Sequence, residues 1–246
     1  MDRLLYIAMN GAKHSLYQQA VTAQNLANAS TTAYKSQNTA FRAVPVVGPG
    51  APTRTFVVDS TPNADLSSGG MQTTGRPLDV AVQGNGWIAV QDASGQPAYT
   101  RNGSLQVGMN GQLVTSNGLP VLGTGGPIAI PANSEVSVGK DGTVTVITNN
   151  LYNAATTIDQ IRLVNPADAD MVRGDDGLFR QRNGQPAPAD ASVSLATGAL
   201  ESSNVSSVNA LISMINQSRY FDMQMELMQK AADNDTHAVQ VMSLTA

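Results

Sequence analysis

The segment from Asn204 to Met242 reads NVSSVNALISMINQSRYFDMQMELMQKAADNDTHAVQVM and contains neither glycine nor proline over 39 residues. Its apolar residues recur mostly at alternating steps of three and four, which is the spacing of one face of an α-helix. They are Val208, Leu211 or Ile212, Ile215, Phe221, Met225, Met228, Ala232, Val239 and Met242. Ser202, Ser203 or Asn204 can cap the start of this helix. At 1.5 Å per residue it is about 58 Å long, which exceeds the diameter of a small domain. The β-rich region alone therefore cannot cover its apolar face, and another helix must do so.

A second helix is predicted at the N-terminal end, from about Leu4 to Ala29, a range with no proline and one glycine, Gly11. Its apolar residues cover 22 positions in six steps. The average step of about 3.67 fits a helix, whereas a strand requires a step of two. These residues are Leu5, Ala8, Ala12, Leu16, Ala20, Ala23 and Ala27. The stripe leaves open whether its partner belongs to the same domain or to another molecule.

Between the helices, the residues from Pro77 to about Gly198 show the pattern of short β-strands separated by tight turns. The predicted strands are Leu78–Val82, Trp87–Val90, Leu105–Val107, Leu113–Thr115, Ile128–Ile130, Val136–Val138, Val144–Ile147 and Ile158–Val164. The predicted turns are Ser94-Gly95, Asn102-Gly103, Asn110-Gly111, Asn117-Gly118, Asp141-Gly142 and Asn183-Gly184. Asn-Gly and Asp-Gly accept the positive φ of tight hairpin turns. Hairpins without intervening helices predict an antiparallel β domain.

The sequence thus predicts an α+β protein with four regions. Residues 1–35 and 199–246 carry the long N- and C-terminal helices, and residues 77–198 form a central antiparallel all-β domain. Residues 36–76 are rich in serine, threonine, proline and glycine. This composition predicts an extended linker with one or two short strands.

The composition argues against several classes of function. Charged residues make up 13 % of the chain and the net charge is −4, whereas proteins that bind nucleic acid carry a basic patch. The chain has no cysteine, which excludes disulfides, thiolate metal sites and cysteine nucleophiles. The N-terminal sequence lacks the pattern of a cleavable secretory signal peptide. No run of about 18 apolar residues could span a membrane.

The sequence offers no convincing active site, and we expect neither catalytic residues nor a bound cofactor or metal. Residues Gly84 to Ala89, GNGWIA, match the dinucleotide fingerprint G-x-G-x-x-A. That fingerprint requires a helix to follow, whereas Trp87 to Gln91 has the pattern of a strand. Gly84 to Gly86 is therefore predicted to be a hairpin turn. His14 and His237 each lack a second metal ligand three or four positions further along the chain.

Residues 25–35, NLANASTTAYK, resemble the N-terminal signature of the flagellar rod and hook proteins, N-L-A-N-x-x-T-T-G-F-K. This chain carries Ala33 in place of the glycine and Tyr34 in place of the phenylalanine. Because a Cβ atom disfavours the left-handed backbone region, Ala33 makes a positive φ less expected at this position.

Other blocks resemble the same family in the same order along the chain. The β-rich region matches through LDVAVQGNGW at 78–87 and YTRNG at 99–103. The C-terminal region matches through ESSNV at 201–205 and RYFDM at 219–223. The opening MDRLLY resembles the proximal-rod members, since distal-rod and hook members usually begin differently.

The resemblance implies a structural subunit of the bacterial flagellar basal-body rod and no enzymatic activity. The terminal helices would form a coiled-coil-like inner domain and polymerise into the drive shaft that transmits torque and encloses the export channel. The implied partners are other copies of the chain, sibling proximal and distal rod proteins, and the flagellar type III export apparatus. This apparatus would deliver the chain to the periplasmic rod without cleavage. The resemblance implies no cofactor, nucleic acid, membrane insertion or small-molecule substrate.

The candidate assembly interface combines the two helical stripes with the start of the signature. On the N-terminal helix it comprises Leu5, Ala8, Ala12, Leu16, Ala23, Asn25, Leu26, Ala27 and Asn28. On the C-terminal helix it comprises Val208, Ile212, Ile215, Arg219, Phe221, Met225 and Met228. The sequence leaves open whether Asn25 and Asn28 bond to neighbouring subunits or cap the helix locally. The alternatives are a distal-rod or hook-type subunit, or a secreted β-rich adhesin, which the hairpins and the tripeptide at 173–175, RGD, suggest.

Overall fold

The computed structural model describes residues 2–45, 55–148 and 155–244, which form two compact units. The first unit contains Met1–Ala29, Gln37–Asp65 and Val205–Ala246, and the second contains Ser30–Ser36 and Leu66–Asn204. The chain therefore passes between the units at 29/30, 36/37, 65/66 and 204/205. The long helices belong to the first unit and most of the strands to the second, so the predicted α+β class is confirmed.

The first unit is built on two antiparallel helices, α1 (Asp2–Ala27) and α2 (Ser207–Leu244). Helix α2 has 38 residues, and at 1.5 Å per residue it is about 57 Å long. Gly11 of α1 lies against Gln224, while Thr22 is bonded to Gln217, so the helices run in opposite directions. Helix α1 therefore covers one side of α2. In the described part of the chain, neither helix is long and apolar enough to span a membrane.

A β-hairpin completes the described part of the first unit. Strand β1 (Gln37–Pro45) pairs antiparallel with β2 (Thr55–Ala64). The hairpin contacts α1, since Nε2 of His14 lies 2.9 Å from the carbonyl oxygen of Val57. The ring of His14 also meets the ring of Phe41 edge to face, with the centroids 5.3 Å apart.

This hairpin occupies much of the range 36–76, for which the sequence predicts an extended linker. Its strands of nine and ten residues are longer than the short strands expected there. The difference arises because Thr39 and Phe41 recur at the two-residue step of a strand, and β-branched and aromatic residues favour paired strands. Residues 46–54 of the predicted linker lie outside the described part of the chain.

The second unit consists of short antiparallel strands in several small sheets. The strands are β3 (Met71–Thr73), β4 (Val80–Gln83), β5 (Trp87–Gln91), β6 (Pro97–Thr100), β7 (Leu105–Val107), β8 (Leu113–Thr115), β9 (Ser134–Val138), β10 (Thr143–Thr148), β11 (Ala155–Gln160), β12 (Leu163–Val164), β13 (Met171–Arg173), β14 (Phe179–Gln181), β15 (Ser194–Thr197) and β16 (Ala199–Glu201). A short 3₁₀ helix, Asp168–Asp170, precedes β13. One sheet has the order β12-β5-β6-β14-β13 and another the order β11-β10-β9. The pairs β3–β16, β4–β15 and β7–β8 form further two-stranded sheets.

Apolar side chains from these strands form the core of the second unit. Val80, Ile88 and Leu105 are among those with no exposed surface. Tight turns at glycine connect the strands, as the sequence predicts. Gly95 (φ 79°) lies in the β5–β6 hairpin and Gly142 (φ 83°) in the β9–β10 hairpin.

Several local predictions are wrong. Ile158–Val164 does not form one strand, because β11 ends at Gln160 and β12, which belongs to a different sheet, begins at Leu163. Ile128–Ile130 is not a strand, and of its residues only Ala129 makes a β-bridge, to Gln112, because Pro127 and Pro131 on either side lack the N–H groups that extend a ladder. Gly84–Gly86 does not close a hairpin, since β4 pairs with β15 whereas β5 pairs with β6 and β12. Strand β5 does begin immediately after this turn, at Trp87, so the prediction of a strand instead of a helix there is confirmed.

Candidate assembly interface

The two terminal helices contact each other through small and polar side chains. Ala8, Ala12 and Ser15 of α1 are buried. Oγ of Ser15 donates to the carbonyl oxygen of Gln217 at 2.8 Å, and Nε2 of Gln217 donates to Oγ1 of Thr22 at 3.0 Å. Small side chains allow the helices to approach closely, but each removes little apolar area from water. The pairing therefore leaves many of the larger apolar side chains uncovered.

Large apolar side chains are exposed on both helices. On α1 they are Leu5, Tyr6, Ile7, Met9, Leu16 and Tyr17. On α2 they are Val208, Leu211, Ile212, Ile215, Tyr220, Met223, Met225, Leu227 and Val239. Monomeric proteins rarely expose large continuous apolar patches, and such patches mark sites of contact with another molecule.

The first turns of α2 carry the most regular of these surfaces. Val208, Leu211, Ile212 and Ile215 follow one another at steps of three, one and three, and each is about half exposed or more. Ala210, which lies on the opposite side of the helix, is buried. This i, i+3, i+4, i+7 pattern is the one through which a helix docks into an apolar groove.

The residues predicted to form the assembly interface fall into three groups in the structure. The exposed ones are Leu5, Leu16, Ala23, Ala27, Val208, Ile212, Ile215, Arg219 and Met225. The buried ones are Ala8 and Ala12, and the half-buried ones are Asn25, Leu26, Asn28, Phe221 and Met228. The predicted stripes follow one line per helix and so leave out other exposed large apolar residues, which are Tyr6, Ile7, Met9, Tyr17, Tyr220, Met223 and Leu227. A helical projection that marked every large apolar residue would have found them.

Asn25 and Asn28 make bonds within the chain. Nδ2 of Asn25 donates to the carbonyl oxygen of Gln37, and Oδ1 of Asn25 accepts from the backbone N–H of the same residue, both at 2.8 Å. Asn25 therefore ties the end of α1 to the start of β1. Nδ2 of Asn28 donates to the carbonyl oxygen of Gln24 at 2.9 Å, which satisfies a carbonyl group in the last turn of α1. The bond of Asn28 matches the local helix cap that the sequence left open, whereas Asn25 bonds to β1.

The end of the signature lies in the second unit and contains a buried ion pair. Nζ of Lys35 lies 2.7 Å from Oε1 of Glu201, and Nη1 of Arg101 lies 3.0 Å from Oε2 of the same carboxylate. These three residues were not predicted to meet. The available signal was that, in a chain poor in charge, all three fall within blocks that resemble the flagellar family.

The backbone at Ala33 differs from the expectation. Its φ is 55°, in the left-handed region that alanine disfavours. This conformation directs the N–H of Ala33 to the carbonyl oxygen of Glu201 at 2.8 Å. The next residue, Tyr34, is buried, and the guanidinium of Arg173 lies 4.7 Å from its ring centroid. The tertiary contacts on either side of Ala33 therefore override its local preference.

A second charged cluster lies at the surface of the second unit. Nη2 of Arg180 lies 2.7 Å from Oδ2 of Asp92 and 2.5 Å from Oδ2 of Asp176. The hydrogen bonds from Arg180 hold the pKa of both carboxyl groups below the ordinary value for aspartate. They also raise the pKa of the guanidinium. The cluster ties β14 to the turn that follows β5.

The comparison with known proteins covers the whole chain. The chain is 45 % identical to the flagellar basal-body rod protein FlgF of Escherichia coli (strain K12) over 252 aligned positions, which include all of both chains. It belongs to the flagellar basal-body rod protein family. Relatives of the same printed name from Salmonella typhimurium and Caulobacter vibrioides are 44 and 32 % identical, over 100 and 98 % of both chains.

Three models of rod and hook protein sequences match separate parts of this rod-family chain. The one described as Flagella basal body rod protein matches residues 5–35. The one described as Flagellar hook protein FlgE/F/G D1 domain matches 81–146, and Flagellar basal body rod FlgEFG protein C-terminal matches 196–241. The first match includes Lys35 and most of α1, and the last includes Glu201 and most of α2.

As a member of this family, the chain is a structural subunit of the flagellar basal-body rod. Flagellar basal-body rod proteins assemble with sibling rod components. The chain is located in the flagellar basal body. Among the residues that the structure describes, no three histidine, aspartate or glutamate side chains are grouped closely enough to hold a metal ion.

Proposed function

We propose that the chain is a subunit of the proximal rod and polymerises through its terminal helices into the drive shaft, which transmits torque and encloses the export channel. It performs no catalysis. The observation that carries the proposal is that α1 and α2, although paired with each other, still expose large apolar side chains on both helices. The proximal position rests on the resemblance of the opening MDRLLY to proximal-rod members.

The exposed residues would be covered by other copies of the chain and by sibling rod proteins. Burying a leucine, isoleucine or valine side chain contributes about 1.5 to 3 kcal/mol, so Val208, Ile212 and Ile215 together supply a substantial part of one contact. Head-to-tail contacts that repeat without closing into a ring generate a helical tube.

The proposal includes the route by which the chain reaches the rod. The flagellar type III export apparatus would carry it, without cleavage, to the periplasmic part of the basal body. Helices that pair through alanine, serine and glutamine bury little apolar area, so they remain easy to unfold for passage through a narrow channel. Nucleic acid, membrane insertion and small-molecule substrates have no part in this function.

The test is a charged substitution on the proposed contact surface. Ile215 is 54 % exposed, so Ile215→Asp costs the free chain little stability. In the assembled rod the carboxylate would be buried without a partner, at a cost of several kcal/mol. The variant should be exported but absent from purified basal bodies, and the cells should be non-motile. Leu16→Asp, at a residue of α1 that is 49 % exposed, should behave in the same way.

Asn209→Asp is the matched control, because it places the same charge on an exposed polar position of the same helix. It should incorporate normally. Normal motility of cells that carry Ile215→Asp as their sole copy would refute the assignment of this surface.

A further inference from the structure

Glu201 is bonded to three segments that are far apart in the sequence. Its Oε1 accepts from Nζ of Lys35 at 2.7 Å and from the backbone N–H of Gly69 at 2.9 Å. Its Oε2 accepts from Nη1 of Arg101 at 3.0 Å. The side chains of Lys35, Arg101 and Glu201 are only 1, 3 and 2 % exposed. A buried carboxylate with this set of donors has its charge fully compensated.

Further bonds join the segments that contain Lys35, Gly69 and Glu201 to one another. Nζ of Lys35 also donates to the carbonyl oxygen of Ser67 at 2.7 Å, and the N–H of Ser202 donates to the carbonyl oxygen of Gly70 at 2.8 Å. Oδ1 of Asn204 accepts from the N–H of Ser36 at 2.8 Å. Residues 33–36, 67–70 and 201–204 are thus held together by side-chain and backbone bonds.

Arg101 connects this cluster to the sheet of the second unit. Its Nε donates to the carbonyl oxygen of Gly86 at 3.0 Å and its Nη2 to that of Gly84 at 2.5 Å. The guanidinium also lies 5.5 Å from the ring centroid of Trp87, the first residue of β5. The cluster is therefore fixed to the turn that precedes a strand of the five-stranded sheet.

The three segments share a further property, which is their position in the chain. The second unit consists of residues 30–36 and 66–204. The three segments lie at the ends of these ranges, next to the points where the chain passes to the first unit. Tension along the polypeptide enters and leaves the second unit at these points. A segment held by separate bonds could detach from the second unit by itself. Segments bonded to one carboxylate resist the force together.

We propose that this cluster, which we call the Glu201 anchor (Lys35, Arg101 and Glu201), transfers mechanical load from the second unit to the segments that lead to the terminal helices. The inference rests on the proposed function as a drive shaft, in which the subunit bears torque. It assigns a mechanical role to the end of the NLANASTTAYK signature, separate from the assembly surface on the helices.

The first test is hydrogen exchange of the full chain. The N–H groups of Ala33, Gly69 and Ser202 report the three segments. Because removing one partner of a buried charge cluster strongly destabilises its surroundings, Glu201→Gln should accelerate exchange at all three by on the order of tenfold or more. Glu135→Gln, at an exposed position of β9, should leave all three unchanged. Acceleration confined to Ser202 would overturn the proposal.

The second test measures force directly. The chain has no cysteine, so a cysteine added beyond each terminus provides unique attachment points for optical tweezers. Lys35→Met leaves Arg101 and Glu201 as a balanced pair and should preserve folding. Val144→Ala, in the core of the second unit, provides a variant of reduced stability without a change in the anchor.

For each variant, the loss in the force that unfolds the second unit is divided by its loss in the free energy of unfolding. This ratio should be larger for Lys35→Met than for Val144→Ala. Equal ratios would mean that the cluster is an ordinary part of the core, and the proposal would be wrong. The result is independent of the proposed assembly function, since incorporation of Ile215→Asp into basal bodies is measured separately.

Discussion

Ser15 and Gln217 are 202 positions apart in the sequence, yet Oγ of Ser15 donates to the carbonyl oxygen of Gln217 at 2.8 Å. This bond lies in the contact between α1 and α2, which is lined by small and polar side chains. The helices are therefore paired within one chain, but the pairing does not cover their large apolar side chains. An assembly function follows from what this pairing leaves exposed.

Gly103→Ala should destabilise the second unit severely. A Cβ atom at this position would lie 1.7 Å from the backbone oxygen of Val80, and backbone cannot move aside as a flexible side chain can. We expect a loss of about 3 kcal/mol or more in the free energy of unfolding. Urea unfolding followed by the fluorescence of Trp87, the single tryptophan of the chain, measures this loss. Gly125→Ala, where the added Cβ meets only open space, should change it by less than about 0.5 kcal/mol.

Ala33→Gly should stabilise the chain. Ala33 holds a φ of 55°, a conformation that costs alanine about 1 to 2 kcal/mol and glycine almost nothing. Part of this gain is offset by the greater freedom of glycine in the unfolded chain, so we expect a net gain of about 0.5 to 1 kcal/mol. The same urea titration checks it. Asn133→Gly, at φ 58°, should gain less because asparagine tolerates this region better. A less stable Ala33→Gly variant would contradict the account.

The Arg180 cluster should make stability fall in acid. The pKa values of Asp92 and Asp176 are lowered in the folded state by hydrogen bonds from Arg180. Their contribution is therefore fully present above the unfolded value of about 3.9 and is lost as the pH falls through the lower folded values. Arg180→Met should reduce the melting temperature at pH 7, and the difference from the unaltered chain should shrink below about pH 4. A difference that stays constant from pH 7 to pH 3 would rule out this linkage.

The helices and most strands of the second unit could be predicted from the sequence. Long ranges without proline identify α1 and α2, and Asn-Gly and Asp-Gly turns between β-branched runs identify hairpins. Hydrophobic periodicity is a local property, and these elements are defined by local spacing. The lengths of β1 and β2 were underestimated, because the serine, threonine, proline and glycine residues around them obscure the two-residue periodicity of a strand.

The Glu201 anchor and the backbone of Ala33 could not be predicted in this way. Lys35 and Glu201 are separated by 166 positions, and no local pattern indicates that two charged residues meet inside a unit. The φ of Ala33 contradicts the local preference of alanine and is fixed by the bond to Glu201. The predicted stripes include some of the large apolar side chains that are exposed on both helices but not all of them, and the interface itself stays a prediction.

The reactivity of a single thiol at the proposed contact surface tests whether a neighbouring subunit covers α2. Ile215→Cys introduces a unique thiol, because the chain has no cysteine, at a position that is 54 % exposed in the single chain. The variant is treated with a maleimide as the free protein and within purified basal bodies, and denatured basal bodies confirm that the thiol is present. We predict rapid labelling of the free chain and strong protection in the basal body. Equal labelling rates in the two states would show that no neighbouring subunit covers this helix and would contradict the account.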